Sequence, residues 1–169
     1  SLNIPLIKIE DVDKLDLTID GADEFDINYN LIKGGGGALT REKIVANASN
    51  AMIVVADDTK KVNILGKFPL PVEVYVDDWE YVQSEISKLC RGNVYLRGGE
   101  ISPYITDNEG YILDCNFGPN ITIPSDLENI INSIDGVVDV GLFVGICDII
   151  IISSPSGINT LINQNGRLS

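Results

Sequence analysis

Two strand-like runs, residues 15–19 (LDLTI) and 52–56 (MIVVA), each end in carboxylates and enclose a helical stretch at residues 39–48. Strand, helix and strand in that order argue for a parallel βαβ unit, and hence an α/β sheet. The first run stops at Asp20-Gly21 and the second at Asp57 and Asp58, while the helix has Thr40 near its start and a charged first turn. The short apolar run 6–9 (LIKI) is a further strand candidate.

The pattern changes at Phe68-Pro69-Leu70-Pro71. Two prolines break both helix and central strand, which marks a domain crossing. Beyond it Trp79, Val82, Ile86 and Leu89 recur at helical spacing, and runs 94–96 and 111–113 read as strands, the second after a turn at 107–110. A helix is expected to start at Ser125, where Glu128 three residues on fits a capping box, with Leu127, Ile130, Ile131 and Ile134 on its apolar face. Runs 137–143 and 149–152 supply two more strands. This mixture predicts a small α+β domain of ferredoxin-like type, with the last strand returning to the first sheet.

Charge and composition exclude several function classes. Twelve basic residues against 25 acidic give a net charge of −13, whereas a nucleic-acid partner needs a basic face. No apolar run approaches the ~20 residues of a membrane span, and no charged-then-apolar leader opens the chain. Cys90, Cys115 and Cys147 are odd in number and widely spaced, as expected of free thiols in a reducing, cytoplasmic setting. Histidine is absent, which removes Ser-His-Asp and Cys-His machinery and histidine-ligated metals from these residues. Acid–base chemistry here runs on carboxylates and lysines.

Two neighbouring segments concentrate that chemistry. Asp20-Gly21-Ala22-Asp23-Glu24 places three carboxylates at a strand's C-terminal end, the edge where open α/β sheets bind ligands. Read alone, the segment is first an acidic turn in which Asp20 or Asp23 bonds its own backbone. Lys33-Gly34-Gly35-Gly36-Gly37 then leads directly into the helix that carries Glu42. Four glycines cost backbone entropy and make sense where a ligand approaches bare N–H groups at a helix start. The spacing matches neither a P-loop nor a dinucleotide fingerprint. A partly buried Glu42 can remove a proton beside a carbonyl and return it one carbon away. Lys33 and the loop amides can stabilise the enediolate, and Asp20 and Asp23 can hold sugar hydroxyls. This chemistry needs no metal and no organic cofactor.

These segments, together with 64–74 (ILGKFPLPVEV), Asn116-Phe117-Gly118, Gly136-Val137-Val138 and Gly141-Leu142-Phe143, resemble the type A ribose-5-phosphate isomerase family in order and across the chain. The resemblance implies an isomerase interconverting D-ribose 5-phosphate and D-ribulose 5-phosphate in the non-oxidative pentose phosphate pathway. It makes Glu42 the proton acceptor, with Lys33 and Asp20 as further catalytic groups and Asp20 assisting ring opening. Substrate binding falls to Asp20, Gly21, Ala22, Asp23, Lys33, Gly34, Gly35, Gly36 and Lys60; Lys60 by itself reads as a solvated lysine. The implied fold is α/β, an incomplete Rossmann-like parallel-sheet domain (1–68 and 145–169) with the small domain inserted at 69–144. That small domain is expected to make subunit contacts in a homodimer or homotetramer.

The family pattern also has an earlier Gly-Thr-Gly-Ser-Thr-like loop that grips the substrate phosphate, and these 169 residues contain none. On that ground the isolated chain is expected to bind phosphate poorly and to be inactive alone. Three other readings are open: a related deaminase-isomerase or CoA-transferase-like protein, a non-catalytic sugar-phosphate sensor, and a metal site on Asp20, Asp23 and Glu24. The run Thr40-Arg41-Glu42 disfavours the first, and a sensor has no use for a carboxylate beside oxyanion donors.

Overall fold

A computed structural model of the chain describes residues 3–168. The first part contains β1 (Thr18–Asp20), β2 (Glu24–Phe25), β3 (Leu31–Ile32), α1 (Leu39–Ala48) and β4 (Met52–Asp57). There follow β5 (Leu70–Val74), α2 (Trp79–Leu89), β6 (Val94–Leu96), β7 (Tyr111–Cys115), α3 (Pro124–Asn132) and β8 (Val137–Val140). The chain then runs through β9 (Leu142–Phe143), β10 (Ile149–Ser154) and β11 (Gly157–Ile162).

Among the described residues three sheets result. β1, β4 and β10 are parallel neighbours and β11 returns antiparallel beside β10, in the order β1-β4-β10-β11. The expected β1-α1-β4 unit is present, and the late strand rejoins the first sheet. A second sheet has the order β6-β7-β5-β8 with antiparallel pairs throughout. The third is a small antiparallel ribbon, β2-β3-β9.

That ribbon joins two cores through the two-residue period of a strand. Leu31 and Phe143, paired across it, face a cluster with Phe25, Met52, Val54 and Ile150. Ile32 and Leu142, the next pair, face a cluster with Leu70, Val72, Val82, Ile86 and Leu113. All four side chains are fully buried, each stabilising the fold by about 1.5–3 kcal/mol. Lys33 follows immediately, so a twice-anchored strand sets its position.

Several local expectations are corrected. Residues 6–8 form no strand, Leu6 is 93% exposed, and Ile9–Asp11 is a single 3₁₀ turn. The first strand is shorter than 15–19, since Leu15 makes only an isolated bridge to Ser49. Run 137–143 is two strands in different sheets, divided at Gly141. There the Gly141 N–H donates to the Pro71 carbonyl at 2.7 Å and its carbonyl accepts from Lys33 at 2.9 Å. A Cβ on Gly141 would lie 2.4 Å from the Lys33 carbonyl, so no other residue fits this crossing.

Pro71 lies inside the central strand β5, against expectation. Its carbonyl faces Gly141, and in a strand the N–H position of the same residue faces the same side. Gly141 lies opposite on that side, and its carbonyl accepts the Lys33 N–H at 2.9 Å, so the missing Pro71 N–H leaves no acceptor unpaired. α3 begins at Pro124 rather than Ser125 and has no side-chain cap. Glu128 leaves the capping box because it pairs with Lys43 at 2.9 Å. Ile130 is 48% exposed, outside the buried face of α3.

The three cysteines are free and buried. Burial raises each thiol above its ordinary value, Cys147 to about 12, which leaves them poor nucleophiles. Among the described residues no helix is long and apolar enough to cross a membrane.

Candidate active site

β1 ends at Asp20 on the C-terminal edge of the parallel sheet, and β3 ends one residue before Lys33. The glycine run turns the chain from there into α1. Gly34 and Gly37 have φ of 105° and 89°, the left-handed region that favours glycine, and the Gly37 N–H closes the turn on the Gly34 carbonyl at 2.9 Å. Glu42 then occupies the first turn of α1.

These elements meet around a cavity of about 220 Å³ lined by segments 20–23 and 33–36 together with Glu42. Lys33, only 3% exposed, is its electrostatic centre. Its ammonium lies 2.9 Å from Asp20 Oδ2 and 3.3 Å from Glu42 Oε2, and donates to the Gly21 carbonyl at 2.5 Å. The Phe143 ring lies 5.5 Å from the same nitrogen. The Asp23 carboxylate accepts the Gly35 N–H at 2.7 Å and so ties the acidic turn to the glycine loop. Gly35 has no room for a side chain, because a Cβ would lie 2.6 Å from Asp23 Oδ1. Gly36 is different: a Cβ there would meet nothing within 4 Å, and bare backbone faces the cavity.

The Glu42 carboxylate is the anomalous group. Its Oε2 is buried 3.3 Å from the Lys33 ammonium, and among the described residues it makes no hydrogen bond of regular geometry. Burial raises the Glu42 carboxyl above its ordinary value. The Lys33 charge opposes that rise, and the negative charges of Asp20 and Asp23 reinforce it. A desolvated carboxylate held beside a lysine and short of donors is suited to accepting a proton.

Not every expected residue shares this cavity. Lys60 lines an adjoining one of about 210 Å³ with Thr59, Lys67 and Phe68, and Asp23 borders both. Glu24, one member of the metal reading, is turned into the protein. Its carboxylate accepts the N–H groups of Gly66 at 2.8 Å and Phe68 at 2.5 Å, and it is 3% exposed. Among the described residues no group of three metal-ligating side chains comes together.

Sequence reasoning missed the groups that support the loop from β5 and the 97–108 segment. Arg97 donates to the carbonyls of Gly34 and Gly35, and Tyr104 to that of Gly36. Glu73, 1% exposed on β5, accepts from the Thr40 and Thr106 hydroxyls and the Asn108 amide. The available signal was a carboxylate at a buried position inside the apolar run LPVEV.

The fold and cavity define an α/β mixed-sheet protein with an acid–base cleft of carboxylates, one buried lysine and open backbone amides. The family model for ribose 5-phosphate isomerase A (phosphoriboisomerase A) matches residues 1–157, and the chain belongs to that family. Ribose-5-phosphate isomerase A of Bacillus mycoides is 46% identical over 158 residues, covering 93% of this chain and 71% of the relative. That of Parvibaculum lavamentivorans is 48% identical over 163 residues, covering 93% and 70%. A solved D-ribose-5-phosphate isomerase in complex with phospho-erythronic acid superposes with a TM-score of 0.89 at 40% identity, covering 95% of this chain and 70% of that one. The enzyme from Neisseria gonorrhoeae gives 0.88 at 38% identity, with the same two shares of 95% and 70%.

Proposed function

We propose that this chain interconverts D-ribose 5-phosphate and D-ribulose 5-phosphate through an enediolate, with Glu42 moving the proton. The observation that carries this reading is the half-buried Glu42 carboxylate, its Oε2 shielded and short of donors 3.3 Å from the Lys33 ammonium, in a chain of the isomerase A family. Glu42 takes the proton from the carbon beside the carbonyl, and the electron pair moves onto the carbonyl oxygen to give the enediolate. Lys33 and the amide of Gly36 stabilise that oxygen; the proton of the adjacent hydroxyl passes to it, that hydroxyl oxygen becomes the new carbonyl, and Glu42 returns its proton to the former carbonyl carbon. Asp20 relays proton movement in ring opening, and Asp23 holds sugar hydroxyls beside Gly35. Lys60 reaches the substrate from the adjoining cavity, a role supported by the shared wall at Asp23. The phospho-erythronic acid complex of a relative supports a sugar-phosphate ligand.

The same reading assigns residues 1–68 and 145–169 to a Rossmann-like catalytic domain and 69–144 to a ferredoxin-like one. The parallel β1-β4-β10 order supports the first. The βαββαβ succession from β5 to β8, with order β6-β7-β5-β8, supports the second. Exposed Leu89, Ile123 and Ile130 on the latter are consistent with subunit contacts in a homo-oligomer.

The test is conversion of ribose 5-phosphate to ribulose 5-phosphate by the full-length protein in deuterated water. Turnover with solvent deuterium at the carbon that receives the proton, the former carbonyl carbon, is expected. Absence of turnover, or turnover of an unrelated sugar phosphate only, refutes the reading.

A further inference from the structure

The glycine loop is held from outside the cavity by one guanidinium. Arg97 follows β6, and its Nε and Nη2 meet the two Asp114 carboxylate oxygens at 2.9 and 2.6 Å. Its Nη1 donates to the carbonyls of Gly34 at 3.0 Å and Gly35 at 3.2 Å. The Tyr104 ring lies 5.8 Å from the guanidinium, and its hydroxyl reaches the Gly36 carbonyl at 3.3 Å.

A trans peptide is planar, with its N–H opposed to its C=O. Fixing the Gly34 carbonyl on Arg97 therefore sends the Gly35 N–H the opposite way, where it meets Asp23 at 2.7 Å. The same geometry, applied to the Gly35 carbonyl, turns the Gly36 N–H away from Arg97. Gly36 lines the cavity that holds Glu42 and Lys33, and nothing of the protein lies within 4 Å of its missing Cβ. A cation on the carbonyl also polarises the peptide and strengthens its N–H as a donor.

We propose that Arg97 is a positioning residue that aims the Gly36 N–H at the anion formed on the reacting carbons, an inference that rests on the isomerase reading above. Asp114 fixes the guanidinium by a two-point contact, which leaves one nitrogen for the loop. Lysine cannot replace it, because one ammonium does not span a carboxylate and two carbonyls in this geometry.

The test compares wild type, R97M and R97K in the full-length protein by steady-state kinetics and by calorimetric affinity for phospho-erythronic acid, whose carboxylate places negative charge near the donors. Loss of a transition-state donor lowers kcat about 100-fold in R97M, with KM changed less than about threefold. Affinity for the acid is expected to fall at least about tenfold, with R97K recovering under about a tenth of wild-type kcat. Wild-type kcat in either variant overturns the proposal, as does lost kcat with unchanged affinity for the acid, which marks a merely structural role. If R97M fails to fold, R97K and D114N decide. D114N keeps the cation but loosens it and should cost kcat about five- to tenfold, and full activity in both refutes the role. A wild-type protein without isomerase activity refutes the isomerase reading instead; the affinities of wild type and R97K for the acid then still report on the loop donor.

Discussion

Replacing Glu42 by glutamine tests the centre of this argument, because it removes a base while preserving shape. Lys33 keeps its Asp20 contact at 2.9 Å and its bond to the Gly21 carbonyl, so the ammonium is not left unpaired. Half-burial of Glu42 and the negative neighbours Asp20 and Asp23 mean that an amide relieves repulsion at this point instead of creating a gap. The expected change in stability is therefore under about 1 kcal/mol, a melting shift of a few degrees at most. Catalysis should suffer far more. A positioned general base contributes about 10²–10⁴-fold, equivalent to about 2.7–5.4 kcal/mol in the barrier at 1.36 kcal/mol per decade. The assay follows ribulose 5-phosphate formation and, separately, exchange of the substrate proton with deuterated solvent. Both rates should fall together in E42Q, while KM and affinity for phospho-erythronic acid stay within about threefold. Near-normal proton exchange would refute the reasoning, since it would place the base elsewhere, with Asp20 the nearest other carboxylate on Lys33.

Lys33→Ala should lower kcat and kcat/KM together by about 10²–10³-fold, as loss of an oxyanion partner does; a change in KM alone would mark uniform binding. The kcat/KM profile should show an acidic limb above the ordinary glutamate value, since burial raises Glu42 and the base must be ionised. D20N should move that limb to lower pH, because removing a like charge favours the Glu42 anion; an unmoved or raised limb contradicts the assignment. Gly35→Ala forces a Cβ to 2.6 Å from Asp23 and should lower both activity and stability, the latter by about 1–3 kcal/mol. Gly36→Ala meets no protein atom within 4 Å, so thermal melting should be unchanged while KM rises. Glu24→Ala removes a buried acceptor for the Gly66 and Phe68 N–H groups and should cost about 2–3 kcal/mol in urea denaturation, without first altering affinity for phospho-erythronic acid.

The chain's legibility followed the range of each interaction. α1 was readable from 39 to 48 because a start at Thr40 after the glycines and a charged first turn act within a few residues. The acidic turn and glycine loop were readable as a unit because both flank the same βαβ segment, and the structure brings Asp20, Lys33 and Glu42 to one ammonium. What could not be read was set by distant partners. β2, β3 and β9 are two residues long, too short for any period, and exist because Leu31–Phe143 and Ile32–Leu142 pair across more than a hundred residues. The capping box at Ser125 failed because Lys43, 85 residues away, takes Glu128. Pro71 sits in a central strand because the Gly141 carbonyl on its N–H side already accepts from Lys33, which no local rule reports.

Under the proposed mechanism, the charge arrangement lets one lysine serve in a chain of net charge −13. Lys33 is shared by Asp20 and Glu42, so its positive field is largely neutralised while the substrate is neutral at its carbonyl. In the proposed mechanism Glu42 accepts a proton, and one of those two anions disappears at the moment the enediolate oxygen becomes negative. The ammonium then has one free direction, and the new anion can take the place that the carboxylate gave up. The net charge around Lys33 is thus the same before and after transfer, and little reorganisation of buried groups is needed. This coupling requires Glu42 and the substrate oxygen to reach the same nitrogen from different sides. A glutamate with a full set of hydrogen bonds would be held in the charged state and would lose that exchange, so the proposed mechanism needs the sparse donor set at Glu42 Oε2, where Lys33 is the one cation at 3.3 Å among the described residues.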